Sequence, residues 1–278
     1  MAKEKEARRP FNLKREVKLL PGYIILLLWV IFTIALLGWV FGASFSTTAE
    51  IFQGKALKFE SGLHFENYAK AWNGAGVAGF FGNSLIYSVI SCTILILVCA
   101  PAAYVLSRFD FKCNKFLLLF FMLGMMVPVH TVLVPVSYII GALNLKNNIP
   151  ALVMIYVAFS LPFSILVVTN FMKGVNRSLE EAALIDGATY FQIYKNVMLP
   201  MTVPAISTIS IFNFLGAWNN ILFPLLFIND KNLKPIALGL LNFNGERGSD
   251  YGPLMAAIVI TVAVPLVIYL LFQEKVEG

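Results

Sequence analysis

Glu180-Glu181-Ala182-Ala183-Leu184-Ile185-Asp186-Gly187-Ala188, running on to Leu199-Pro200, lies in a hydrophilic segment, residues 172–202, between two long apolar runs. It reads as two short helices joined by a turn. Ser178-x-x-Glu181 has the spacing of a capping box, in which the Ser oxygen and the Glu carboxylate satisfy backbone N–H groups at a helix start. Leu179 to Asp186 then gives about two helical turns. Gly187 can take the left-handed conformation that closes such a helix. Thr189-x-x-Gln192 repeats the capping pattern. The second helix is expected to run to Leu199, where Pro200 stops it, because proline cannot continue the hydrogen-bond ladder.

The surfaces of these two helices are unusual. Ala182 and Ala183 stand beside Leu179, leaving the backbone nearly bare and open to close approach. Phe191, Tyr194, Val197 and Met198 form a second apolar stripe at helical spacing. Two readings stay open on pattern alone. The stripes can pack on the chain's own bundle, or they can dock a partner.

Outward from this segment, the chain is 59% hydrophobic and only 13% charged over 278 residues. That is a membrane composition. Apolar runs fall at about 23–43, 84–106, 116–140, 151–171, 203–229 and 254–273. Each approaches the roughly 20 residues a helix needs to cross the hydrocarbon. The first run resembles a signal peptide, with Gly42-Ala43-Ser44 as a cleavage-like site. Its apolar core exceeds the roughly 7–15 residues of a signal h-region, so it is read as a retained span. The chain therefore divides into a basic N-terminus (1–22), a six-span domain (23–273) and a short tail (274–278). No repeat, low-complexity segment or soluble domain is evident; loop 44–80 is short and Gly-rich.

The net charge of +6 comes from an uneven distribution. Seven basic residues precede the first span, which is the usual cytoplasmic flank of a spanning helix and not a nucleic-acid patch. Segments 1–22, 107–115, 172–202 and 274–278 hold fourteen Lys and Arg. The opposite loops 44–80, 141–150 and 230–252 hold seven over a similar length. The richer set is expected in the cytoplasm, with both termini and the 172–202 loop. All 21 Lys and Arg and all 15 acids then lie outside the spans. Only His130 is ionisable within them. Ion-coupled carriers usually need intramembrane carboxylates or His relays. Energy is therefore expected to enter from elsewhere, against the alternative of an ion-coupled secondary carrier.

Motifs for chemistry are missing. No Gly-x-x-x-x-Gly-Lys occurs, nor H-E-x-x-H or G-x-S-x-G, so the chain reads as neither an ATPase nor another enzyme. Cys92 and Cys99 lie in an apolar run and Cys113 in a short loop, giving neither a disulfide framework nor zinc spacing. Seven of the 13 prolines fall within spans. Pro128 and Pro135 bracket His130 and Thr131, so the third span is expected to bend. The fifth span carries the densest polar cluster: Ser207, Thr208, Ser210, Asn213, Trp218, Asn219 and Asn220. Asn213 and Asn220 are seven apart and share a helix face. Buried amides need partners. They can bond neighbouring helices, or line a path where they bond substrate hydroxyls. Ser137 and Tyr138 are further path candidates. Phe65, Tyr68 and Trp72 suggest an interfacial helix with an aromatic belt.

Glu181-Ala182-Ala183, Asp186-Gly187-Ala188, Leu199-Pro200 and Pro204, lying between two spans, resemble the EAA loop of ABC importer permeases. The likeness extends over nearly the whole chain from about residue 20. It includes Leu63 to Tyr68, Phe80 to Ser84, Arg108-Phe109-Asp110-Phe111-Lys112, Pro128 to Pro135, and Trp218-Asn219-Asn220. It is nearest the second permease of maltose/multiple-sugar systems. The resemblance implies an all-α integral membrane protein of the type I importer (MetI-like) permease fold, in a prokaryotic plasma membrane. It implies a second permease subunit, two cytoplasmic ATPases and an extracytoplasmic sugar-binding protein as partners. ATP and Mg would be used by the ATPases, with no cofactor on this chain. Glu181 would make polar contact with an ATPase, Ala182 and Ala183 would allow close approach, and Gly187 would form the turn. Asp186 and Pro200 complete the motif. Many members continue into a Gly-Ala-rich tail. This chain stops at Gly278, so contacts of such a tail are not carried over. A polar solute other than sugar, such as glycerol phosphate, is the alternative cargo.

Overall fold

The computed structural model describes residues 13–245 and 248–277. Most of the basic N-terminus, residues 1–12, lies outside them. The regular elements of the described residues are helical apart from a two-residue antiparallel ladder pairing Asn244 with Ser249 and Gly245 with Gly248.

The long elements are α1 (Leu13–Ala43), α4 (Val77–Arg108), α7 (Ile149–Gly174) and α14 (Tyr251–Glu277). Each contains a stretch long and apolar enough to cross a membrane. Short helices α2 (Thr48–Phe52) and α3 (Glu66–Ala69) lie between α1 and α4. Next come α5 (Asn114–Met126) and α6 (Val129–Ala142), between α4 and α7. After α7 come α8 (Ser178–Ile185), α9 (Tyr190–Ile193), α10 (Leu199–Met201), α11 (Val203–Trp218), α12 (Leu222–Phe227) and α13 (Ile236–Gly239).

Two expected spans are broken. The third splits into α5 and α6, set at 101° to one another. Proline drives the residue before it out of the helical region, and Val127 is extended (ψ 115°) ahead of an extended Pro128 (ψ 128°). The expected bend is thus a near-right-angle break, and neither piece alone spans the roughly 30 Å hydrocarbon. The fifth ends at Trp218 instead of running to 229, with Asn219-Asn220 as the break before α12. Counting α5–α6 and the α9-to-α11 stretch as one bent span each brings the total to six.

Small residues set the packing. Along α4, Val77, Phe80, Ser84, Ser88, Ser91, Leu95, Cys99 and Ala103 form one buried stripe at three- and four-residue spacing. Without a hydrophobic drive between helices in lipid, such small faces allow close contact. α7 and α11 pack against this stripe. α1, by contrast, leaves its apolar side chains uncovered from Leu19 to Phe41.

The segment between α1 and α4 is more ordered than its glycines suggest. Asn67 donates to the carbonyls of Ser44 (2.9 Å) and Ser46 (3.0 Å). Thr48 Oγ1 donates to Asp250 (2.7 Å) and accepts from the Tyr251 N–H (2.9 Å). Gly252 lets this cap sit on α14: a Cβ there would stand 2.6 Å from the Ser46 carbonyl oxygen. A short helix stands where the interfacial helix is expected, as α3 and the π-helical turn Lys70–Gly74. Phe65 and Trp72 are exposed, whereas Tyr68 bonds Ser44 Oγ (2.8 Å).

Candidate functional site

The segment 172–202 forms an elbow at the far end of α4 and α7. Its first helix does not begin with the expected capping box. Arg177 occupies the N-cap position without a side-chain bond. The Asn176 side chain accepts from the Ser178 N–H instead (3.1 Å), which places Ser178 inside the helix. Glu181 is thereby released from any capping role and is exposed. Gly187 closes the helix at φ +81° with empty space around it. The second box does form: Thr189 and Gln192 exchange bonds at 2.8 and 3.3 Å.

Pro200 does not end the second helix. The chain widens into a π-helical turn, Tyr194–Met198, and continues through α10 to Met201. The break falls at Thr202, where the path turns by 71°. Pro204 sits in the first turn of α11, where a missing N–H is harmless, whereas Pro200 lies just beyond the π-helical turn inside the continuous stretch. Thr202 holds the corner by donating its hydroxyl (2.6 Å) and its N–H (3.0 Å) to the Met198 carbonyl.

The elbow surfaces divide between a packed face and an uncovered one. Ala183, Ala188, Tyr194 and Val197 pack on a core cluster containing Ile193, Met198 and Met172. Ala182, Asp186 and Glu181 face outward. So do Ile185 (86% exposed) and Phe191 (69% exposed).

The other predicted residues divide similarly. Asn213 is buried and donates to Ser91 Oγ (3.2 Å) and Cys92 Sγ (3.3 Å) on α4. Trp218 is fully buried, stacks on Phe214 and donates to the Thr261 carbonyl (3.2 Å) of α14. Both side chains thus bond neighbouring helices, through the Asn213 amide nitrogen and the Trp218 indole N–H. Asn219 is exposed, and Asn220 Oδ1 accepts from the Phe223 N–H (3.1 Å) at the start of α12. Ser137 and Tyr138 line an open cavity of about 700 Å³ with Leu133, Gly141, Lys146 and Leu226. Tyr138 is 78% exposed there.

Residues 96–277 match the family described as binding-protein-dependent transport system inner membrane component. The chain belongs to that family. The permease is 35% identical to the diacetylchitobiose uptake system permease protein NgcG of Streptomyces coelicolor, over 92% of this chain and 85% of the relative. It is 35% identical to the probable ABC transporter permease protein YurM of Bacillus subtilis, over 91% and 83%. The multiple sugar-binding transport system permease protein MsmG of Streptococcus mutans is 30% identical over 84% and 85%. The fold matches a chain in the crystal structure of a bacterial ABC transporter that imports the acidic polysaccharide alginate. The TM-score there is 0.83 at 18% identity, covering 96% of the permease and 99% of that chain.

Sequence reasoning missed the residue that fastens the elbow. Arg108, at the end of α4, forms an ion pair with Glu180, the neighbour of the motif's Glu181. Both side chains are shielded, at 5% and 13% exposure. Arg108 also donates to the Val175 carbonyl (2.9 Å). One guanidinium thus holds both the entry strand and the first helix of the elbow against α4. A helix of 32 residues is about 48 Å long, longer than the roughly 30 Å hydrocarbon, and Arg108 is its last residue. The available signal was an Arg just beyond an apolar run and a doubled Glu in the loop, but their pairing is not local.

Glu50 is a second missed feature. Its carboxylate accepts from the N–H and hydroxyl of Thr47 (2.9 and 3.0 Å) and of Ser61 (both 2.9 Å). These donors, led by the Thr47 and Ser61 backbone N–H groups, hold its pKa down at about 2.

Proposed function

We propose that this permease is one transmembrane subunit of an ATP-driven sugar importer. A second permease would complete the path, and two cytoplasmic ATPases, using ATP and Mg, would drive it. An extracytoplasmic binding protein would deliver a di- or oligosaccharide. Relatives named for diacetylchitobiose and multiple sugars support that cargo. They favour sugar over glycerol phosphate. The positive-inside count supports an elbow and both termini in the cytoplasm of a prokaryotic cell.

The observation that carries the coupling role is the split of the elbow into a latched and a free face. Arg108 and Glu180 hold the elbow to α4. Glu181, Ala182, Asp186 and Ile185 remain uncovered beside Gly187, with Pro200 in the return helix. An apolar side chain as open as Ile185, in a segment outside the hydrocarbon, suits a protein groove. Closure of the ATPases would push this face. The latch would pass the push to α4, and Thr202 would pass it to α11. Ser137, Tyr138, Asn219 and Asn220 are the residues proposed to meet substrate: Tyr138 and Asn219 are exposed, and Ser137 and Asn220 are half-buried next to them in the chain. A tyrosine ring and hydroxyls suit the mixed apolar and polar faces of a sugar.

The test is the purified complex with its binding protein, assayed for ATP hydrolysis while sugars are offered one at a time. Stimulation by a sugar, abolished by Ile185→Asp, supports both halves of the reading. Sugar uptake by this polypeptide alone in liposomes, driven by an ion gradient, overturns it.

A further inference from the structure

Beside the elbow lies a feature that neither coupling nor passage uses. A cavity of about 1000 Å³ opens where α4 and α7 end and α5 begins. Lys112 lies on its rim in the α4–α5 connection, Lys115 in the first turn of α5, Lys173 in the last turn of α7, and Arg177 at the start of α8. Asp110 is the single carboxylate among the lining residues. None of the four cations has an ion pair or side-chain hydrogen bond among the described residues.

We propose that this cavity holds the headgroup of an anionic phospholipid. Three observations converge. First, four like charges around one hollow repel each other unless an anion lies between them. Second, the charges stand at the ends of apolar helices, the position at which basic pockets between membrane helices take lipid phosphates. Phe111 and Leu118 line the same hollow, and Phe111 is 39% exposed, giving acyl chains an apolar margin. A soluble phosphate has no use for that margin. Third, α5 begins without a side-chain cap and without an acid in its first turn. Its free N–H groups and Lys115 point to an anion, whereas an acidic residue is the usual complement at that position.

The site shares Arg177 with the elbow. A lipid seated there would brace the start of α8 through Arg177, linking the composition of the leaflet to the elbow.

The experiment uses the intact complex, stripped of lipid in detergent and then offered phosphatidylglycerol or phosphatidylcholine. Bound lipid is counted by native mass spectrometry. Wild-type complex should retain phosphatidylglycerol and not phosphatidylcholine. The triple variant K112Q/K115Q/K173Q should retain at least about tenfold less. The matched variant K55Q/K58Q/K70Q, altered at the opposite end of the molecule, should retain it as wild type does. Equal retention by both triple variants overturns the proposal, as does displacement of the lipid by inorganic phosphate. Loss of the ATPase subunits from K112Q/K115Q/K173Q, with lipid retention unchanged, overturns it in favour of an acidic protein surface.

Discussion

Arg108 and Glu180, 72 positions apart in the chain, form a shielded ion pair that fixes the elbow to the end of α4. Removing one member of a buried pair strands the other charge and costs about 3–5 kcal/mol. Arg108→Ala should therefore loosen α8 without dissolving the α4–α7 seam. Amide exchange across 178–185 should rise by more than tenfold while exchange in α7 stays at the wild-type rate. The charge-swapped double variant R108E/E180R should recover part of the protection. Unchanged exchange in Arg108→Ala would remove the latch from the account.

Gly187 sits in the left-handed region with open space around it. A side chain there meets no neighbour, so the penalty is backbone strain alone, about 1–2 kcal/mol. Gly187→Val should reduce uptake while the assembled complex remains intact on a sizing column. Gly187→Asn, which tolerates that conformation better, should transport at a rate between the two. Normal uptake by Gly187→Val would count against the turn as a coupling part.

Asn213 distinguishes seam from path. As a seam residue, Asn213→Ala should lose its bonds to Ser91 and Cys92 and lower stability by about 1–3 kcal/mol. The KM for sugar should stay as in wild type. A several-fold rise in KM with unchanged thermal stability would return the residue to the path. Tyr138→Ala should show the reverse pattern, with KM raised and stability kept, because its ring is exposed.

Glu50 gives a pH dependence whose sign follows from its lowered pKa. Its charged form is the one the four donors hold. The cage therefore stabilises the folded loop above the ordinary carboxylate value of 4.5 and weakens progressively as pH falls toward 2. Limited proteolysis of segment 44–64 in liposomes should be slow at neutral pH and accelerate below about pH 4.5. Glu50→Gln should be cut readily at neutral pH and should show much less change on acidification.

Gly252 makes a structural control for the same cap. Adding a side chain drives it against the Ser46 carbonyl and the Asn67 amide. Overpacking of this kind costs about 1–3 kcal/mol. Gly252→Val should free segment 44–64 for proteolysis at every pH, leaving exchange in the elbow unaffected.

The sequence alone determined that this is a membrane helical bundle with a hydrophilic elbow and no charge in its spans. Those properties are set by local composition: apolar runs partition into lipid, Gly187 takes a left-handed turn, and Thr189 reaches only three residues to Gln192. Tertiary structure decided the rest. Asn213 became a seam residue because Ser91, 122 positions away, lies opposite it. Glu180 became a latch because α4 extends far enough to deliver Arg108. Pro128 breaks the third span locally, but the 101° angle of the break is set in a fold where α5 packs close on α7, with a Cβ at Gly124 only 3.3 Å from Pro162. Partition and backbone preference act over a few residues and are written in order along the chain. Pairing between distant side chains depends on where whole helices end and how they cross, and neither is encoded at the site where its effect is seen.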